Sequence, residues 1–415
     1  MTLLEHDPVA VALRRPAERD VQAGRPLRVA LFSGNYDCVR DGANQALNRL
    51  VSYLMNKRGA QVRIYSPRAP KPAFRSVGDV RAVRSFSLPG RPEYRLALGF
   101  TRSARLDFDS FDPDIVHLSA PDILARQAQK YARRKGVAVV ASLHTRFETY
   151  AEYYRLGFLR GTIERYLDRF YGDCDHILAP NRPIADQMAA RHGARRVSIW
   201  GRGVDPSLFN PALRCEKLRA SLGYGPDEVM PLFFGRLVME KGLGVFLDAI
   251  TLLREKGHYV RPLIVGDGPA RAWLNARLSN ATFAGHLEGP ALGRAIASAD
   301  MLINPSVTEA FGNVNLEAMA SGLPVISAHV DSAASLIVDG KNGVLAPPQD
   351  AAAMAAAAEA LILDPDRRRM LGRMASASAR RYRWDDVLAP VFDVYGTLVP
   401  PSRGVRPEPM SACAG

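Results

Sequence analysis

The sequence predicts an α/β protein made of two doubly wound halves, each a parallel sheet with helices on both faces, facing each other across a cleft. Three observations predict it. Short apolar runs alternate with amphipathic segments along the chain, and strands separated by helices pair in parallel. The same plan occurs twice, before and after a stretch rich in Gly and Pro at 201–211. At 415 residues the chain is too long for a single core; length alone allows two or three domains.

The first half opens with the buried strand 27–33 (LRVALFS). A helix follows over 43–57, where Ala46, Leu47, Leu50, Val51 and Leu54 share one face. Further strands are expected at 62–65, 115–119, 137–143, 177–179 and 197–200, with a helix over 121–135. Glycines and prolines of GRGVDP (201–206) and Asn210-Pro211 mark a linker and hinge. In the second half, strands are expected at 231–234, 262–265, 282–284, 301–304, 324–327 and 343–346. Helices are expected at 243–253, 314–320, 350–363 and 366–381, and Trp384 begins a last one. The boundaries are then a flexible arm at 1–24, a first domain at 25–200, a linker at 201–215, a second domain at 216–383, a helix at 384–399 and a flexible tail at 400–415.

Apolar residues at 47% and charged residues at 23% are ordinary for a globular protein. No run reaches the roughly 18 apolar residues of a spanning helix, and the N-terminal arm lacks a signal-peptide core. Cys38, Cys174, Cys215 and Cys413 form no CxxC pair, which points to free structural thiols in a reducing, cytoplasmic setting. The formal charge of +13 is carried entirely by residues 1–200, while the rest of the chain balances. Such asymmetry leaves open an anionic partner for the first half or a solvated arginine surface.

The segment 304–324, NPSVTEAFGNVNLEAMASGLP, carries the strongest chemical signal. A strand ends, a loop presents Glu309, and a helix begins near Gly312, with Glu317 about one and a half turns inside. The amides of Gly312, Asn313 and Val314 then lie at a helix N-terminus, where unpaired N–H groups and the macrodipole favour a phosphate. Each carboxylate suits a pair of vicinal hydroxyls on a sugar or ribose. In 234–242, FGRLVMEKG, Arg236 and Lys241 stand between a strand and a helix, a metal-free way to hold a diphosphate. Gly266 and Gly268 of GDGP follow a third strand, where they would let a flat base approach backbone or simply form a tight turn.

In the first half, Gly34 and Asn35 open a loop that ends in Asp41-Gly42-Ala43-Asn44. The dinucleotide fingerprint G-x-G-x-x-G is absent, although the loop could wrap a sugar and phosphate. His144 ends a strand at the edge that faces the cleft. Two acidic triplets, Asp107-Phe108-Asp109 in a polar loop and Asp173-Cys174-Asp175 before a strand, raise a metal reading; both lie far from the diphosphate elements, and no metal site is assigned.

The SLH strand end, the linker GRGVD, the GR…EKG loop, the GDGP turn and the E-x7-E segment, in this order along the chain, resemble glycosyltransferase family 4 over residues 27–397. The stretches SLHTRFETY and IWGRGVD are similar to those of bacterial GDP-mannose-dependent mannosyltransferases and of glycolipid-forming sulfoquinovosyl- and glucuronosyl-transferases. The resemblance implies a GT-B fold with two Rossmann-like domains, the first on the acceptor side and the second binding the sugar nucleotide, and a last helix crossing back onto the first. It implies retaining transfer of a hexose-type sugar from a GDP- or UDP-linked donor, with no cofactor and no required metal. By the same resemblance Glu309 holds the donor sugar, Glu317 the ribose, and Arg236 and Lys241 the diphosphate, with Phe311 to Val314 beside them. His144 would approach the anomeric centre, and the Gly34–Gly42 loop the diphosphate or acceptor. Many relatives have a Gly-Gly pair in that loop, where this chain reads SGNYDCVRDGANQ.

Chemistry supports that division of labour. Breaking a glycosyl–phosphate bond builds negative charge on the diphosphate, and preorganised cations lower that barrier. A retaining glycosidase would need two carboxylates about 5 Å apart flanking the bond, whereas the pair here is spaced for hydroxyl binding. The expected acceptor is a membrane lipid or lipid-linked glycan, with the basic half on anionic lipid through Arg126, Lys130, Arg133, Arg134 and Lys135 and the aromatics of 150–171. A soluble acceptor or polysaccharide, and a sugar-nucleotide-binding protein without turnover, remain as alternatives. No nucleic-acid-binding signature is present.

Overall fold

A computed structural model of the chain describes residues 25–39, 42–88, 91–143, 160–309 and 311–399. The arm at 1–24, the tail at 400–415 and His144 lie outside the described residues.

The first sheet has seven strands: β1 (Arg28–Phe32), β2 (Gln61–Ser66), β3 (Asp79–Ala82), β6 (Ile115–Leu118), β7 (Ala138–Ser142), β8 (His176–Ala179) and β9 (Val197–Ile199). Between β3 and β6 the chain makes a separate antiparallel hairpin of β4 (Ser85–Leu88) and β5 (Arg91–Ala97). The sheet order is β3-β2-β1-β6-β7-β8-β9, all parallel. The second sheet contains β10 (Pro231–Phe234), β11 (Leu263–Val265), β12 (Thr282–Gly285), β13 (Met301–Asn304), β14 (Val325–Ala328) and β15 (Val344–Ala346). Its order is β12-β11-β10-β13-β14-β15, again all parallel.

Strand alternation fills both faces of each sheet. In β1, Val29 and Leu31 join one core while Ala30 and Phe32 join the other. In β13, Leu302 faces one cluster and Met301 and Ile303 the opposite one. A strand buried on both faces reads as a continuous apolar run, which is why these strands stand out in sequence. β3 and the β4–β5 hairpin do not stand out: β3 is largely exposed and charged, and the hairpin is short and only half-buried where described, so their pattern is weak.

The polar loop expected around Asp107 is instead the helix Arg102–Phe111. Thr101 caps it, and it stops at Asp112 in a left-handed conformation (φ 46°). Only Phe108 and Phe111 are buried along it, too narrow a stripe to register as helical periodicity.

Two segments cross between the domains. Val204 N donates to Tyr382 O at 2.7 Å, and Val204 bridges Arg383 in parallel. Gly203 is small because Trp384 presses on it: a β-carbon there would stand 2.7 Å from the Trp384 Cα. The helix Trp384–Leu398 then buries Leu388, Val391 and Tyr395 against Val29 and Leu31 of the first domain.

That helix is fastened by a buried polar chain. The Tyr395 hydroxyl lies 2.5 Å from His117 Nδ1, and His117 Nε2 lies 2.9 Å from Ser142 Oγ. Burial lowers the His117 pKa to about 3, so the ring is neutral in the fold. The unfolded chain takes up a proton near pH 6.5 that the folded one refuses until about 3. Stability from this group is therefore complete above about 6.5 and is lost at up to about 1.4 kcal/mol per pH unit below it. Urea melts between pH 7 and 4 should show this slope, and His117→Gln should flatten it.

Candidate active site

Each sheet has one place where the strand order reverses, and in open parallel sheets ligands bind outside the carboxyl ends of the strands at that place. In the second sheet it lies between β10 and β13. The loop 235–242 leaves β10 and the loop 305–312 leaves β13, so both strongest sequence motifs emerge side by side.

The two loops touch. Gly242 (φ 76°) lies so close that a β-carbon would sit 2.8 Å from the Pro305 carbonyl. Lys241 Nζ donates to Glu309 Oε1 at 2.5 Å, and Ser306 Oγ lies 3.4 Å from the same oxygen. Lys241 and Glu309 are about one quarter exposed, at 27% and 22%. Their pairing is thus partly shielded from water while each keeps a face toward the opening.

Gly312 takes a left-handed conformation (φ 91°) and starts the helix Asn313–Ala320. Asn315 anchors that helix from below: Asn304 Nδ2 donates to Asn315 Oδ1 at 2.7 Å, and Asn315 Nδ2 donates to Ser327 Oγ at 3.1 Å. This buried ladder ties β13, the helix and β14 together, and so fixes where the first-turn amides point. Neither Asn315 nor Ser327 was anticipated. The signal was available, because asparagine repeated at 304, 313 and 315 amid apolar residues requires buried partners.

Glu317 reaches solvent over only part of its surface. Burial, followed by the like charge of Glu309, raises its carboxyl to about 8. Near neutral pH it is largely a neutral carboxyl, able to donate one hydrogen bond and accept others. Removing its neighbour's charge in Glu309→Gln should lower the Glu317 pKa while leaving it above the ordinary carboxyl range, because burial persists. Carbon-13 NMR of the glutamate carboxyls would read this; an unmoved titration would show that the two groups do not sense each other.

Arg236 stands exposed on the same β10 loop and forms no ion pair among the described residues. Its loop is braced by the GDGP turn through Gly235 N to Val265 O (3.0 Å) and Leu237 N to Asp267 O (2.9 Å). The Cβ positions of Gly266 and Gly268 are taken by Gly235 O at 1.9 Å and Leu237 O at 2.4 Å. These glycines therefore serve loop-on-loop packing, as in the tight turn that the sequence offered beside the base-binding reading. A shallow depression of about 430 Å³ lies beside Asp267, Gly268, Pro269 and Arg271. Phe311 is also turned to packing: its ring lies edge-on to Tyr382 and against Gly201, so only its backbone is available to a ligand. Val314 is half-buried in the first turn of the helix.

In the first sheet the order reverses between β1 and β6. Gly34 follows β1 there, and the Asp122 carboxylate fills the space its side chain would take, with Oδ2 2.6 Å from the Cβ position. Asp122 caps the helix Ile123–Arg134 through Ala125 N at 2.7 Å, and burial raises its pKa to about 6. Asp before a helical run is a capping signal that could have identified it. The Asn35 side chain is occupied: it accepts from Arg95 N at 2.8 Å and donates to Arg95 O at 3.2 Å, pinning β5. Gly42 opens the helix Gly42–Arg58 and meets the second domain, its Cβ position 2.5 Å from Asn313 Nδ2. The cleft is thus bounded by two helix N-termini, one from each domain.

The acidic triplets are occupied structurally. Asp107 binds Arg63 and the Tyr65 hydroxyl, Asp109 binds Lys135 and the Tyr131 hydroxyl, and Asp175 accepts from Val139 N. Asp173 binds both Arg126 (2.7 Å) and Arg133 (2.6 Å), so the basic patch expected over 126–135 is partly neutralised. Phe170 and Tyr171 are buried and cannot dock on a membrane; Tyr166 is exposed, and 150–159 lie outside the described residues. Burial raises the thiols of Cys38 and Cys174 to about 11 and about 12, so neither is a nucleophile near neutral pH.

Two facing parallel-sheet domains, with paired cation and carboxylate loops at the reversal point of the second, define the class of sugar-nucleotide transferases. The chain belongs to glycosyltransferase family 4. Residues 229–364 match the model "Glycosyl transferases group 1" and residues 40–208 match "Glycosyltransferase Family 4". A GDP-mannose-dependent alpha-mannosyltransferase of Mycolicibacterium smegmatis is 33% identical over 325 residues, covering 77% of this chain and 84% of the relative. Sulfoquinovosyl transferase SQD2 of Arabidopsis thaliana is 29% identical over 372 residues, covering 87% of this chain and 71% of the relative. Among solved structures, sucrose-phosphate synthase of Thermosynechococcus elongatus superimposes with a TM-score of 0.71 at 19% identity, over 90% of this chain and 99% of that one. The fold is GT-B.

Proposed function

We propose that this glycosyltransferase is a retaining, metal-independent hexosyltransferase that moves a sugar from a GDP- or UDP-linked donor to a membrane lipid or lipid-linked glycan. It would work on the cytoplasmic face of the membrane as a peripheral protein. The observation that carries the reading is the Lys241–Glu309 contact at 2.5 Å, beside the N-terminus of Asn313–Ala320. It puts a cation, a hydroxyl-binding carboxylate and a set of amides around one small volume.

In the reaction, the bond from the anomeric carbon to the diphosphate oxygen breaks as the acceptor hydroxyl oxygen bonds to that carbon on the same face. The acceptor proton passes to the departing phosphate. Arg236, Lys241 and the amides of Gly312, Asn313 and Val314 meet the charge that develops there, the role a metal ion takes elsewhere. Glu309 orients the sugar hydroxyls and Glu317 the ribose; the neutral form of Glu317 adds no charge against the diphosphate. His144 is assigned to the anomeric centre on the family resemblance. The lipid acceptor is supported by the basic first half and by the sulfoquinovosyl relative.

The test is a donor panel (GDP-mannose, UDP-glucose, UDP-glucuronate, UDP-galactose) against membrane lipid extract, read by mass spectrometry. A lipid product with retained anomeric configuration, formed in the presence of EDTA, is expected. Inversion would overturn the retaining assignment, loss in EDTA the metal independence, and transfer only to water-soluble acceptors the lipid assignment.

A further inference from the structure

Residues 67–78, Pro-Arg-Ala-Pro-Lys-Pro-Ala-Phe-Arg-Ser-Val-Gly, connect β2 to β3 without regular structure and contain no residue used above. Three prolines at 67, 70 and 72 narrow their conformations. The rest is fastened to the turn after β1. Ala73 N donates to Asp37 O at 2.8 Å, and Ser76 Oγ donates to Asp37 Oδ2 at 2.7 Å. Val77 N donates to Asn48 Oδ1 at 2.8 Å, and the Tyr36 hydroxyl donates to Val77 O at 3.0 Å. Phe74 packs edge-on to Tyr36, with ring centroids 6.4 Å apart. A connection this long is held as a fixed wall rather than left loose.

That wall lines a depression of about 500 Å³, bordered by Arg68, Phe74, Arg75, Ser76 and Gly78. Elsewhere in the first domain, Arg25, Arg63, Arg81, Arg126 and Arg133 each pair with an aspartate. Other exposed arginines, such as Arg84 and Arg102, carry no ion pair among the described residues; Arg68 and Arg75 are set apart by bordering the same depression. The carboxylate within ion-pair range of Arg68 is Asp37, at 3.9 Å, and it is fully buried and already accepts from Ser76. Arg75 has no carboxylate in range among the described residues, and its backbone carbonyl is held by Asn48 Nδ2 at 3.3 Å. Two exposed guanidinium groups with unused donors therefore border one cavity with an aromatic wall, on a rigid frame. β2 lies next to β1, so the cavity opens one strand away from the Gly34 loop, at the same carboxyl edge of the sheet.

We propose that this depression is an anion site that takes a phosphate ester group of the acceptor. A guanidinium fork matches a phosphate with two parallel hydrogen bonds, and two forks on one rim select a phosphate over a neutral polyol. Phe74 offers an apolar wall to the carbon skeleton attached to it. The word acceptor rests on the transferase reading; the anion site does not. A lipid headgroup and a soluble sugar or polyol phosphate share this chemistry.

Calorimetric titration with inorganic phosphate should be run on the wild type, on Arg68→Ala/Arg75→Ala and on Lys241→Ala. Binding is expected to survive Lys241→Ala and to weaken about tenfold or more in the double arginine variant, whose melting should be unchanged because both side chains are exposed. Equal phosphate affinity in the double variant would overturn the site. So would loss confined to Lys241→Ala, which would mean that phosphate reports the donor side, or no binding to the wild type. Co-sedimentation with phosphatidylcholine vesicles, with and without phosphatidylglycerol, identifies the source. Arginine-dependent capture by the doped vesicles supports a lipid headgroup, and arginine-dependent binding of free phosphate alone supports a soluble ester. GDP-mannose and UDP-glucose are titrated in parallel; if neither binds any of the proteins, the transferase reading fails while the phosphate result still decides the anion site.

Discussion

Lys241→Ala is expected to reduce sugar transfer by about 100- to 1,000-fold, the range seen when one preorganised group facing developing negative charge is removed. The fold should survive, because Lys241 is partly exposed and its partner Glu309 keeps the Ser306 hydroxyl within reach. Two effects combine. In the proposed reaction the departing diphosphate would lose a cation, and Glu309 loses the ammonium that holds its carboxylate. Glu309→Gln keeps the shape but removes the charge, so it should cost less than the lysine change. Because the two groups share one contact, the double variant should lose less than the product of the single losses. Melting curves and kcat/KM for the preferred donor would measure this. Wild-type rates in Lys241→Ala would remove the pair from the reaction altogether.

Gly266→Ala should be strongly damaging, because it joins a backbone clash to a positive φ. The new β-carbon would fall 1.9 Å from Gly235 O, on a backbone with φ 136° that other residues rarely adopt. Neither atom can give way easily, because Gly235 N is bonded to Val265 O and Gly266 N to Gly285 O. Positive-φ strain and overpacking together predict a loss of about 2 to 6 kcal/mol. The loop bearing Arg236 and Lys241 must shift as well, so donor affinity should fall with stability. Gly257→Ala is the control: its φ is 87°, yet nothing lies within 4 Å of the new atom. It should show the backbone strain without the clash and leave donor binding untouched. Equal melting temperatures for the two variants would contradict the packing argument.

Much of the architecture was legible because strands buried on both faces leave continuous apolar runs, as in 231–234 and 301–304. That the loops after β10 and β13 act together was expected from the family resemblance, since an Arg and a Lys after a strand can equally be plain surface; the structure brings Lys241 and Glu309 into contact. Asp107 and Asp109 went the other way: their helix shows too few buried residues to announce itself, and their charges are consumed by Arg63 and Lys135. Asn35 looked available to a ligand, but the short hairpin that claims it has no sequence signature. Phe311 likewise looked like a site residue, and only the fold shows its ring against the linker at Gly201.

The sequence alone determined the doubled sheet plan, the linker and the loops that carry the charged groups, because periodicity and glycine placement act over a few neighbouring residues. Tertiary structure decided which polar side chains remain available. Lys241 meets Glu309 across 68 residues, and Arg95 captures Asn35 across 60. Such pairings depend on strand order, and strand order is set by how whole layers bury their apolar faces, a property that no local window contains.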